Sequence, residues 1–117
     1  MRRVYIAFPD ISNDPGPVWM VKYYEEKYGA KIVPRYPVGT EKPLKDVKAG
    51  DMVIVVGHGN FDMTGLAVST TKENYLKGDP DDKLTANTLA LFLKHDGLPI
   101  SHRFIKCATC CGGVLRV

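Results

Sequence analysis

The sequence predicts an α/β domain: a mostly parallel central sheet with helices on both faces. Three observations lead there. Strand-like and helix-like segments alternate along the chain, the order that builds parallel sheets through helical crossovers. The run Met52–Val56 is continuously apolar and rich in β-branched residues, as expected of a central strand buried on both faces. Both helix-like segments carry start and stop signals: Pro17 and Gly29 on the first, Thr85 and Gly97 on the second.

The elements follow in order. Arg3–Phe8 (RVYIAF) reads as a strand ended by Pro9, and the residues from Asp10 to Gly16 as a turn-rich loop. A helix is expected from Pro17 to about Tyr28, with Val18, Val21, Tyr24 and Tyr28 at helical spacing toward the sheet. Lys31–Tyr36 (KIVPRY) reads as a short strand, placed at an edge or bulge by Pro34. A polar loop, GTEKPLKDVKAGD, leads into the central strand Met52–Val56. The segment from Asn60 to Lys83 is mixed, with turn signals at Gly65, Gly78 and Pro80. Thr85 is the expected N-cap of a helix through Lys94 whose apolar face is Leu89, Phe92 and Leu93. His102–Thr109 (HRFIKCAT) reads as the last strand.

At 117 residues the chain suits one domain, and 44% hydrophobic with 25% charged residues is an ordinary globular composition. The net charge of +3 comes from scattered basic residues rather than a stripe, which argues against a nucleic-acid binder. The N-terminal MRRVYIAFPD has too short an apolar run for a signal peptide, and nothing approaches the roughly 20 apolar residues of a membrane span. Three clustered cysteines, Cys107, Cys110 and Cys111, cannot frame a disulfide-rich fold, so reduced thiols in the cytoplasm are expected.

Two segments carry chemistry. In VIVVGHGN, His58 stands where a buried strand ends, and Gly57 and Gly59 would let backbone approach a reacting carbonyl. The alternative is that GHGN is a tight turn. In FIKCATCCGG, Cys107 falls within the strand as a small apolar residue. Cys110 falls at the strand end, where a thiol nucleophile belongs; Cys111 is its neighbour and competes for the role. Catalytic groups on parallel sheets gather beyond the carboxyl ends of central strands, which places His58 and Cys110 on one rim. Asp62 could orient the imidazole or be a solvated loop carboxylate. A metal set of His102, Cys107, Cys110 and Cys111 has only one C-x-x-C spacing, and a thioredoxin-type redox motif lacks its usual surroundings.

Taken together, MVIVVGHG and FIKCATC resemble the His-Gly and Cys blocks of the caspase-like (clan CD) cysteine peptidases. The run LTANTLALFLKHDGLPISHRFIKCATC looks most like the self-processing cysteine protease domains of large bacterial toxins and related effectors. The resemblance covers roughly residues 1–113 and implies a caspase-like three-layer sandwich with His58 and Cys110 as a dyad. It implies an oxyanion hole of the Gly59 and Cys110 N–H groups and a polypeptide substrate, with no cofactor and no metal. That family continues with strands after the cysteine that help form its substrate pocket. The expectation is therefore one peptidase domain over residues 1–117 that lacks its C-terminal strands. Toxin domains of this type bind inositol hexakisphosphate on a basic surface, which the +3 charge neither supports nor opposes; a completing partner chain is equally open. The rival readings are a non-catalytic binding or regulatory module of the same fold, and a cysteine-cluster metal or redox protein.

Overall fold

The computed structural model describes residues 1–59, 65–102, 104–108 and 114–116. Among them the order is β1 (Arg2–Ile6), α1 (Pro15–Tyr28), β2 (Lys31–Pro34), β3 (Met52–Val56), β4 (His58–Gly59) and β5 (Gly65–Val68). Then follow α2 (Lys72–Leu76), β6 (Asp82–Thr85), α3 (Ala86–His95), β7 (Phe104–Ala108) and β8 (Val114–Arg116). The main sheet has the order β2-β1-β3-β7-β8, parallel from β2 to β7 and antiparallel at β8. A second, antiparallel sheet has the order β4-β5-β6.

The expected α/β class and parallel core are therefore present, with β3 central and β2, which ends at Pro34, on the edge. Val53 to Val56 are all buried, and each such side chain contributes about 1.5–3 kcal/mol on leaving water. Alternation along the strands divides the core in two. Val4, Ile54, Val56 and Ala108 pack under Tyr24, Met20 and Val21 of α1. Tyr5, Val53, Val55 and Ile105 pack on the other face with Leu89 and Leu93 of α3 and with Leu66 and Val68 of β5. Helices thus cover both faces, and the small sheet shares the second one.

Several boundaries differ from the expectation. α1 begins at Pro15, two residues before Pro17, because Asp14 takes the extended N-cap conformation and proline tolerates the first helical position. Tyr28 does not face the sheet: it is 41% exposed, beneath the Arg2 guanidinium. The loop between β2 and β3 is not wholly polar, since Leu44 and Val47 are buried in the core beside α3. The mixed segment holds β5, α2 and the first half of β6, and β8 is a strand that the sequence reading does not contain. Thr85 is the N-cap of α3 as expected, its hydroxyl accepting the Thr88 N–H at 3.1 Å.

Candidate functional site

His58 is not in a tight turn. With Gly59 it forms β4, paired to Leu66–Ala67 of β5, so the chain leaves β3 in the main sheet and enters the small sheet within one residue. Gly57 is that residue, and it must be small: a Cβ there would lie 3.3 Å from Leu66 Cβ and 3.4 Å from both Ala67 O and Phe8 Cε2. The imidazole is consequently held where the two sheets part, at the carboxyl rim of the parallel sheet.

Its partner is Asp14, which the sequence reading leaves in a loop. Both carboxylate oxygens lie 2.9 Å from His58 Nε2. Asp14 has no exposed surface, and its Oδ2 also accepts the Ser69 N–H at 2.9 Å. The adjacent Asn13 amide donates to Thr70 O at 3.0 Å, a second bond between the same two segments. A buried carboxylate without such partners would be strongly unfavourable, so His58 and Ser69 account for its presence.

The local sequence explains why this carboxylate is available. An N-cap side chain ordinarily accepts the N–H of the second or third helical residue. Here the helix begins Pro15-Gly16-Pro17, so the third position has no N–H to give, and Asp14 makes no side-chain cap bond. The carboxylate turns to the histidine instead. Gly16 makes room for it: a Cβ there would sit 3.3 Å from His58 Cε1.

An ionised carboxylate only accepts hydrogen bonds, so the imidazole Nε2 facing it carries the proton. In the neutral ring, Nδ1 is then the nitrogen able to take up another. The ring borders a cavity of about 270 Å³ between α1 and the rim, lined by Gly16, Trp19, Met20, Gly57, His58 and Ala108. Apart from His58 these residues offer no titratable side chain. Among the described residues, then, the cavity sets the His58 imidazole in apolar walls, which strengthen its electrostatic interactions.

Of the expected site residues, His58 and Gly59 lie together on this rim. Cys110, expected as nucleophile and as oxyanion donor, lies outside the described residues, as do Cys111 and Asp62. The orienting carboxylate found here is Asp14. Ala108, the last described residue of β7, is in register with Val56 and lines the cavity. Cys107, partly buried, packs against the core on the α3 face, opposite to Ala108. His102 is buried, with its N–H donated to Pro99 O at 2.9 Å. Among the described residues no group of three or more His, Cys, Asp or Glu side chains is arranged to hold a metal ion. Nor, among them, is any helix long and apolar enough to cross a membrane. In comparisons with known proteins no family model matches the sequence, no curated protein matches it, and no solved structure matches the fold.

Proposed function

We propose that the protein is a cysteine peptidase of caspase-like architecture in which Cys110 is the nucleophile, His58 the proton carrier and Asp14 the residue that fixes the imidazole. The observation that carries this reading is the pairing of the buried Asp14 carboxylate with the partly exposed His58 imidazole, on the rim beside the end of β7. Cys110 follows Ala108, the last described residue of β7 and part of the cavity wall, by two positions in the sequence. Cys107 packs on the opposite face of β7, and the choice of Cys110 over Cys111 rests on the sequence resemblance.

In the proposed reaction the Cys110 thiolate attacks the carbonyl carbon of a peptide bond. The N–H groups of Gly59 and Cys110 stabilise the resulting oxyanion. As the C–N bond breaks, the imidazolium gives its Nδ1 proton to the leaving amine, while Nε2–H stays on Asp14. His58 then takes a proton from water, the hydroxide adds to the thioester, and the thiol and a carboxylic acid are released. Asp14 keeps the ring in one tautomer and stabilises its cationic form.

A peptide carrying a thiol-reactive electrophile tests the reading. Mass spectrometry should find the adduct on Cys110, absent in Cys110→Ala and strongly slowed in His58→Gln. A folded protein that remains unlabelled, or one labelled equally fast without His58, refutes the peptidase and leaves the non-catalytic module in its place.

A further inference from the structure

Trp19 is the single tryptophan of the chain and is 62% exposed, yet its surroundings are ordered. Its indole stacks on Tyr23 with ring centres 5.2 Å apart and planes at 14°. One side of Trp19 lines the His58 cavity; the other opens on a groove of about 420 Å³ along α1, lined also by Lys22, Tyr23, Glu26 and Lys27. The groove therefore adjoins the proposed cleft, with Trp19 as the wall they share.

Its charge is biased. Lys22 and Lys27 line it against the single Glu26 of its described lining. Lys27 Nζ donates to Tyr23 Oη at 2.9 Å and lies 5.2 Å above the Tyr23 ring. Arg2 sits 4.4 Å over the Tyr28 ring and Lys106 5.8 Å over that of Tyr24. The field is felt at Tyr23, whose phenol is lowered from its ordinary range by the Lys27 hydrogen bond first, and by the Lys27 and Lys106 charges among the further causes. From residue 19 to 27 a helix rises about 12 Å, the reach of three to four residues of extended chain.

We infer that this face of α1 is an exosite for the polypeptide substrate: a segment flanking the scissile bond leaves the cavity over Trp19 and lies along Tyr23, with acidic side chains paired to Lys22 and Lys27. The inference rests on the peptidase reading for the word substrate. The recognition itself rests on the shared Trp19 wall, the stacked rings and the surplus of cations. Exposed aromatic surface held rigid beforehand loses little conformational entropy on binding, so such a face favours contact with a peptide.

Fluorescence of Trp19 in the Cys110→Ala protein is the direct test, because binding needs no thiol. A short glutamate-containing peptide should change the emission saturably, and its glutamine counterpart should not. Rising salt should weaken binding. Lys22→Ala combined with Lys27→Ala should weaken it by roughly fivefold or more, and arginine at both positions should restore it. Absence of a saturable change, or an equal response to the glutamine peptide, overturns the proposal. So does an emission change that follows protein concentration alone, which makes the face a contact between copies. A response to inositol hexakisphosphate with none to the peptide overturns it too, in favour of a small-polyanion site. Peptide binding without Cys110 labelling in the unmodified chain removes the peptidase reading and keeps an acidic-peptide surface. Labelling without binding removes the exosite alone.

Discussion

Replacing Asp14 with asparagine separates a carboxylate that merely fills a buried site from one that sets the tautomer of His58. In the native protein the carboxylate serves two donors at 2.9 Å, the Ser69 N–H and His58 Nε2. Asparagine has one acceptor oxygen, and the Ser69 amide claims it, since a buried N–H is rarely left without a partner. The side-chain NH2 then faces Nε2, which must accept rather than donate. The ring proton moves to Nδ1, the nitrogen that the proposed mechanism requires free. Both hydrogen bonds survive in number and only their charge assistance is lost, so stability should fall by about 1–2 kcal/mol. The rate of Cys110 labelling should fall far more, by roughly a hundredfold to ten-thousandfold, as wrong-tautomer substitutions do in other triads. Asp14→Ala is the contrast: it strands the Ser69 N–H and should cost about 2–4 kcal/mol. Urea unfolding gives the stabilities, mass spectrometry the labelling rates, and nitrogen-15 spectra of the imidazole the tautomer. An Asp14→Asn protein that labels at the native rate, or whose Nδ1 stays unprotonated, refutes the reasoning.

Two further outcomes concern the scaffold. Asp96, at the end of α3, is buried; it accepts the Tyr5 hydroxyl and, at 2.9 Å, Arg35 Nη1. Burial pushes its carboxyl up, but bonds from Tyr5, His95 and Arg35 outweigh this and hold it below the ordinary range. A carboxylate lowered on folding contributes stability that is complete above its unfolded pKa of about 3.9 and is lost as pH falls through the lower folded value. Asp51 is also held low, through the Lys48 N–H, the Arg3 side chain and the N-terminal amine, and acts in the same direction. The urea midpoint should therefore drop below about pH 4, with a shallower drop in Asp96→Asn; an equally steep drop in that variant sinks the assignment. Gly97 has φ of 94°, and a Cβ there would lie 2.7 Å from Lys42 Cβ. Gly97→Ala should cost about 1–2 kcal/mol, seen as a lower Tm, and an unchanged Tm contradicts the contact.

The parts of the fold legible in the sequence were those where one local signal dominates. The β-branched run Met52–Val56 becomes the buried centre of the sheet, Pro34 ends an edge strand, and Thr85 caps α3. The small sheet was not legible for a physical reason. Gly65–Val68 has four residues, too few to show a period, and its burial comes from partners distant in sequence, among them Leu89 and Leu93. Leu44 and Val47 were hidden in the same way, as two apolar residues in a polar loop that only the tertiary packing gathers into the core. In the candidate site His58 announced itself by its strand, whereas Asp14, 44 residues away along the chain, did not. Two signals could have found it. The loop after β1 must emerge beside the end of β3, because those strands are parallel neighbours. And an N-cap aspartate followed by Pro-Gly-Pro has lost a usual donor for its carboxylate.

That second signal also explains how the two sheets come to act together. Asp14 is anchored to the main sheet through α1, which packs on Val4, Ile54 and Val56. Both groups it holds, His58 and the Ser69 N–H, belong to the small sheet: one on β4, the other one residue beyond the end of β5. The carboxylate is thus a buried polar joint between two layers that also meet through apolar packing and the Asn13–Thr70 bond. A histidine at the end of a single strand could rotate with its loop. One clamped from the neighbouring layer has a defined ring plane, and its free nitrogen faces a fixed direction. Proton transfer to a substrate needs that fixed direction, because its rate falls steeply with small misplacement. The sequence spends a helix cap on Asp14 without using its carboxylate as one, and the clamp on His58 is what that sacrifice supplies.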